Sequence, residues 1–353
     1  MPFAHRVTSY MMGAHFRWAY KEHDVDGFET LGLVLAKPRE ARVREVRSRP
    51  PRSGEVRIRT SFSGVSTGTD KWVMQGRFVW GSPAFPLVPG YQRAGIVTEV
   101  GPDVAEFSLG QHVVATTTVG LDGITAGSGG HLADAVSPIS EVYDATGADP
   151  AAASLFISGQ VGFNAASRIT APARSRVVVV GDGVIGASAA LFARARGYDV
   201  LIVGRHAERL KAVVRAGITT VNSGDGDLAA IADFEPVAAI DTVQSDESFS
   251  YYIDVIPRRS GEVVFSGHSP DGVTHWADMA ELQKREHTAH FVSGWTSTRI
   301  TQTLEAIRSG ELPLGDLIGV TAIGTDEIER TVADVIHARM PAVAAVLNWS
   351  GPS

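Results

Sequence analysis

The pattern of apolar and polar positions changes character along the chain. Between residues 31 and 150 the apolar positions come in short runs: Val43–Val46, Glu55–Thr60, Gly95–Val100 and His112–Ala115. Each is strand-forming sequence. Turn residues separate them at Pro50-Pro51, Ser53-Gly54, Gly101-Pro102 and Leu109-Gly110. Short strands between such breakers predict a small β-barrel-like unit. From about residue 150 the runs are longer and alternate with helical periods. Val177–Val180 is wholly apolar and β-branched, and a glycine turn and an amphipathic helix from about Val184 to Arg196 follow. Val200–Val203 precedes a helix from about Ala207 to Ala216, closed by Gly217. Val237–Ile240, Glu262–Phe265 and Ala289–Val292 are further buried-strand candidates. Strands alternating with helices imply a parallel sheet covered on both faces. The pattern ends with helices at about Thr298–Ser309 and Asp326–Arg339 and a strand at Ala342–Trp349. The segment 1–30 has no clear period beyond a brief alternation of Phe16, Trp18 and Tyr20.

The fold class expected is therefore α/β: a doubly wound parallel sheet domain plus a β-rich barrel domain. The boundaries read as an extension at 1–30, a β-rich domain at 31–155, a parallel-sheet domain at 156–296 and a return segment at 297–353. The length of 353 residues fits that count, at ~150 residues per domain. With 44% hydrophobic and 20% charged residues, wholesale disorder is excluded. A net charge of −7 argues against binding to nucleic acid or to a membrane surface. No apolar run is long enough for a membrane helix, and the segment 1–30 lacks the apolar core of a secretory signal. A cytoplasmic location is expected. The chain has no cysteine, which excludes disulfides, iron–sulfur clusters, thiolate zinc sites and cysteine nucleophiles together.

Gly181-Asp182-Gly183-Val184-Ile185-Gly186 spells G-x-G-x-x-G directly after the valine strand and at the start of a helix. In that context Gly181 permits a tight turn, Gly183 lets backbone approach a pyrophosphate, and Gly186 lets helix pack on strand. The helix N-terminus offers N–H groups and a positive dipole end to the anion. The next strand ends Val203-Gly204-Arg205-His206, with Arg209 one turn on. A carboxylate near this point would bond the ribose hydroxyls of NAD. Glycine and arginine stand there instead: glycine leaves room for a 2′-phosphate, and a guanidinium pairs with it bidentately. NADP is expected, with NAD as the alternative if Arg205 stacks on adenine or faces solvent. Thr242 and Val243, after the fourth strand of the sheet, and Gly267 and His268, after the fifth, are expected to line the nicotinamide end.

Several motifs then occur in order. Gly64-Val65-Ser66-Thr67-Gly68-Thr69-Asp70 resembles the pattern G-[IV]-C-G-T-D of medium-chain dehydrogenases/reductases, and Val88-Pro89-Gly90-Tyr91-Gln92 resembles their P-G-H-E. Gly95–Gly101 is similar to G-x-V-x-x-V-G, Phe107–Val113 to F-x-x-G-D-x-V, and Gly129–Asp134 to G-G-x-A-E. The resemblance covers about residues 31–350 and implies a GroES-like barrel beside a Rossmann domain. It also implies a homodimer paired through sheet edges. S-T-G-T-[DE] followed by P-G-Y-[EQ] further resembles the bacteriochlorophyllide dehydrogenase and cyclitol reductase-like group of secondary metabolism. That implies a ketone/secondary alcohol pair on a small, ring-bearing substrate.

The departures from the family pattern carry the chemistry. Where zinc-dependent members hold the catalytic metal, this chain has Thr67, Tyr91 and, by approximate alignment, Ile157. That set does not make a zinc site, so no metal is expected. His287 and His290 read as ordinary histidines. Without a metal, a hydrogen-bond or proton donor must stabilise the developing alkoxide. Tyr91 is the candidate acid, and Thr69 occupies the position whose hydroxyl contacts the reacting oxygen in the family. Asp70 is expected to orient the phenol or pair with Lys71, and Lys71 is the cation expected to lower the phenol's pKa. Thr67 and Trp295 are candidate substrate contacts, Trp295 with interdomain packing as its alternative. His131 reads as a surface or interface residue. Two other functions stay open: hydride delivery to an activated C=C, and a cofactor-binding protein without catalysis.

Overall fold

A computed structural model of the protein describes residues 27–77, 84–226, 228–267 and 277–351. Phe16, Trp18, Tyr20 and His268 lie outside the described residues. The first half of the chain is built of strands β1 (Phe28–Lys37), β2 (Glu40–Ser48) and β3 (Glu55–Val65), then helix α1 (Thr69–Met74), then β4 (Leu87–Val88), β5 (Arg93–Val100), β6 (His112–Ala115), β7 (Thr125–Ala126), β8 (Asp134–Pro138) and β9 (Val142–Asp144). Helices α2 (Pro150–Ala153) and α3 (Phe156–Ala166) lead into β10 (Arg176–Val180), α4 (Val184–Ala195), β11 (Asp199–Gly204), α5 (Ala207–Arg215), β12 (Thr219–Asn222), α6 (Ala229–Asp233), β13 (Ala238–Asp241), α7 (Asp246–Ser250), β14 (Glu262–Ser266), α8 (Met279–Lys284) and β15 (Thr288–Val292). The chain continues with α9 (Ser297–Ser309), β16 (Ile318–Ile323), α10 (Gly324–Ile336) and β17 (Ala344–Asn348).

Three sheets result. The six strands in the order β12-β11-β10-β13-β14-β15 are all parallel. The apolar runs Val177–Val180 and Val200–Val203 form its centre, buried between α3, α4 and α9 on one side and the cluster of Phe249, Tyr252 and Ile253 on the other. A seven-stranded sheet runs β16-β17-β3-β5-β6-β9 with β8 beside β3, and a four-stranded sheet runs β2-β1-β4-β7. Strand β17, from the far end of the sequence, lies antiparallel to β3. No helix of the described residues is long and apolar enough to cross a membrane.

The structure corrects several expectations. β1 begins at Phe28, inside the stretch assigned to a terminal extension, and pairs along its length with β2. It has no alternating pattern because both faces are covered: Leu33 and Leu35 enter one apolar cluster and Val34 another. β12 and β16 are additions to the expected strands; both are short edge strands with much of their surface exposed. The last helix stops at Ile336 rather than Arg339, since Ala338 takes a left-handed conformation (φ 54°) that ends it.

Arg93 holds the barrel interior together. Its side chain is fully buried, and its guanidinium donates to the Gly129 carbonyl (3.0 Å) and to the hydroxyls of Thr118 and Ser137. Burial pushes it down to about 10, so it stays charged at neutral pH. It thus ties β5, β8 and the 117–130 loop to one point. Arg93→Met is expected to cost about 3 kcal/mol, since hydrogen bonds to a charged group contribute ~1.5–3 kcal/mol each. Urea unfolding checks this: the midpoint should fall with an unchanged slope.

Candidate active site

The turn after β10 needs its glycines for three different reasons. Gly181 has φ 123°, and a Cβ there would meet Thr242 Oγ1 at 2.2 Å. A Cβ on Gly186 would fall 2.0 Å from the Gly181 carbonyl oxygen. Gly183, by contrast, faces open space, and it begins α4 with no side chain capping the helix. The first N–H groups of this helix therefore point into a cleft of about 310 Å³. Val184, Ile185, Gly204, Arg205, His206, Arg209, Thr242 and Val243 line the cleft. The turn at Thr242–Val243 is fixed from below by Asp241, a buried carboxylate that accepts from the Val243 and Gln244 N–H groups (both 2.9 Å) and from Ser248 and Tyr252. Gly267 packs beside Thr242, its φ of 110° open only to glycine.

At the end of β11 the structure overturns part of the reasoning behind the phosphate site. Gly204 does not leave an empty space. The side chain of Asp182 fills it: a Cβ on Gly204 would lie 2.5 Å from Asp182 Cβ. The carboxylate accepts from the N–H groups of Arg205 (2.9 Å) and His206 (2.8 Å), from His206 Nδ1 (2.9 Å) and from Arg209 Nη1 (3.3 Å). Burial alone would raise its pKa, but these donors, His206 first, hold it below the usual carboxylate value of 3.8. His206 and Arg209 are thus already partnered, and Arg209 also donates to the Met340 carbonyl (2.7 Å). Arg205 remains exposed at the cleft rim.

Lys71 is also corrected. It lies in the cleft with the glycine turn, together with Ser66, Thr67 and Gly68. Burial, then repulsion from Arg209, Arg77 and Arg205, lowers its pKa. It therefore shares a cation-rich environment and does not serve as the charge that would depress Tyr91.

Tyr91 has a different setting. The hydroxyls of Ser66, Thr69 and Ser158 face its phenol, and the Asp70 carboxylate stands near. Burial, chiefly, and Asp70 raise the phenol above its ordinary value of 10.0, the opposite of the direction expected from the sequence. Its ring stacks on Trp295 with centroids 5.9 Å apart. Gln160, buried in α3, holds the preceding turn by donating to the Gly294 carbonyl (2.9 Å). Asp70 does not pair with Lys71. Its Oδ2 accepts from the Ser66 N–H (2.8 Å) and stands 3.6 Å from His131 Nε2. His131 is fully buried, not superficial: its ring packs on Gly90, where a Cβ would meet it at 2.8 Å, and Nδ1 pairs with Ser63 Oγ at 2.8 Å. The structure thus brings Tyr91, Thr69, Asp70 and Trp295 together and sends Lys71 and Thr67 to the cleft of the glycine turn. Sequence reasoning misses Asp182, Ser158 and His131 as contributors. The glycine at position 90 is the one hint for the close packing of His131.

Ile157, at the third metal position of the resemblance, is an alkyl side chain buried in α3. With Thr67 and Tyr91 it supplies no pair of zinc-type donors, and His131 with Asp70 supplies only two. The donor set does not fit a catalytic zinc. Among the described residues no group of three or more His, Asp or Glu is placed so that it could hold a metal ion.

Comparison with known proteins agrees with this architecture. Residues 52–138 match the alcohol dehydrogenase GroES-like domain. Among curated relatives, 2-desacetyl-2-hydroxyethyl bacteriochlorophyllide A dehydrogenase of Cereibacter sphaeroides is 35% identical over 75 residues, 21% of this chain and 24% of that one. NADP-dependent alcohol dehydrogenase C 1 of Mycolicibacterium smegmatis is 27% identical over 169 residues, 39% of this chain and 48% of that one. These matches make the chain similar to medium-chain dehydrogenases/reductases. The matches span about a quarter to a half of those relatives' lengths. Solved structures extend the likeness over the fold. Benzyl alcohol dehydrogenase from Acinetobacter calcoaceticus superposes with a TM-score of 0.78 at 19% identity, covering 91% of this chain and 99% of that one. An Escherichia coli oxidoreductase/dehydrogenase of unknown specificity gives 0.79 at 18%, with the same coverage. At these identities the likeness establishes the fold.

Proposed function

We propose that the chain is a zinc-independent oxidoreductase that interconverts a ketone and a secondary alcohol on a small, ring-bearing metabolite, with NADP(H) as its preferred cofactor. One observation carries the reading. The segment Ser66–Lys71 borders both the cleft of the glycine turn and the hydroxyl cluster around Tyr91, so a dinucleotide and a substrate oxygen would meet across it. The residues present suit the cofactor's phosphates. The α4 N-terminus takes the pyrophosphate, and Arg205 and Lys71 offer cations to a further phosphate. When bound, the nicotinamide supplies or accepts a hydride. The chain's own part is proton and charge control. The raised phenol of Tyr91 stays protonated at neutral pH and donates to the developing alkoxide. Thr69, Ser66 and Ser158 hold that phenol in place. Trp295 stacks on its ring and fixes the plane of the phenol.

The test is incubation of the protein with NADPH and a panel of cyclic ketones and enones, with and without a strong chelator. Alcohol formation at an unchanged rate in chelator is the expected result. A saturated carbonyl product from the enones would assign C=C reduction instead. Rate loss in chelator, restored by zinc, would overturn the zinc-free reading.

A further inference from the structure

We propose that Asp182 sets the discrimination between NADH and NADPH by delivering, from the glycine turn, the carboxylate that the end of β11 lacks; the proposal rests on the dinucleotide reading above. A parallel sheet of this kind commonly selects NAD with an acid at the end of its second strand. Here that position is Gly204, and the volume a side chain would take there is filled by Asp182, with Oδ2 2.6 Å from the position of a Cβ. The two residues require each other: only glycine at 204 lets the carboxylate in.

The carboxylate is fixed. Two backbone N–H groups, the His206 ring and Arg209 donate to it, and its side chain is 6% exposed. Those donors are the kind a phosphate would engage. While Asp182 stands among them they are occupied, and a second anion at contact is repelled. A ribose 2′-hydroxyl has the opposite relation to the site, because it can donate to Oδ1, whose protein donors are His206 Nδ1 at 3.0 Å and Arg209 at 3.3 Å. Arg205 and Lys71 pull the other way and favour phosphate. The cleft therefore carries two opposed determinants, and the cofactor preference is their difference rather than the product of Arg205 alone.

The experiment is calorimetric titration of the full chain with NADH, NADPH and two fragments without nicotinamide, 5′-AMP and 2′,5′-ADP. Asp182→Asn keeps the shape and removes the charge. It should tighten 2′,5′-ADP at least tenfold relative to 5′-AMP and shift the NADH/NADPH ratio of Kd by the same factor. Arg205→Ala should shift the ratio in the opposite direction. Parallel weakening of all four ligands by Asp182→Asn would make Asp182 only a brace for the β11–α5 junction and would overturn the proposal. If that variant does not fold, the wild-type protein decides: 2′-deoxy-5′-AMP should bind at least fivefold more weakly than 5′-AMP, and equal binding overturns the proposal. Failure of the wild-type chain to bind any of these ligands would overturn the dinucleotide reading itself.

Discussion

Tyr91→Phe should lower ketone turnover by roughly 10²–10⁴-fold, the contribution of a positioned general acid. The substitution removes one oxygen and keeps the ring, so the stacking on Trp295 survives. Dinucleotide affinity should not change, because Tyr91 is outside the cleft lined by the glycine turn. The loss should therefore fall on kcat, with the Kd for NADPH as the control. The pH dependence gives an independent check. The phenol's pKa is raised above 10.0, by burial first and by Asp70 second. A raised value keeps the proton-donating form present to higher pH, so the rate of reduction should stay level from neutral pH to at least about pH 10. Asp70→Asn removes one of the two causes and should bring the basic limb to lower pH. Near-normal turnover in Tyr91→Phe would leave the phenol as a filler of the space between Ser66, Thr69 and Ser158.

Gly186→Ala should weaken NADPH binding by about 10²-fold and lower the melting temperature as well. The new Cβ would sit 2.0 Å from the Gly181 carbonyl oxygen, backbone against backbone, with no flexible end to give way. Overpacking a rigid site costs roughly 1–3 kcal/mol, and a tenfold loss of affinity corresponds to about 1.4 kcal/mol. Gly183→Ala makes the contrast. Its Cβ would meet nothing within 4 Å, so the melting temperature should hold while NADPH binding alone falls. Equal melting temperatures for the two variants would contradict the geometry of the turn.

The parallel sheet was legible because its signals are local. Four consecutive valines, a glycine turn and a helical period all lie between Val177 and Ala195, and β10, α4, β11 and α5 match their signals within a residue or two. β1 was hidden because a strand covered on both faces has no alternation to read. The hydroxyl cluster around Tyr91 was half legible. Tyr91, Thr69 and Asp70 stand out by departing from, or keeping, an ordered set of motifs. Where Lys71 points is a different matter, since α1 has only six residues and too few turns for a helical period to assign its faces. Asp182 could not have been assigned from spacing. Its partner Gly204 lies at the end of the next strand, beyond the whole of α4, and the meaning of each depends on the other filling or vacating one volume.

The pairing of β17 with β3 also governs how the protein is made. Val65 pairs with Ala345, close to the other end of the chain. At ~5–20 residues per second of synthesis, the far half of β3 waits roughly 15–60 s for its neighbour on that side. The parallel sheet needs nothing beyond Val292 for its strands and can form on the ribosome during that interval. The barrel meanwhile presents an unpaired strand edge at Phe62–Val65, the kind of edge that recruits other chains. Production of soluble protein should thus depend on the rate of translation between β3 and β17 and on holding chaperones.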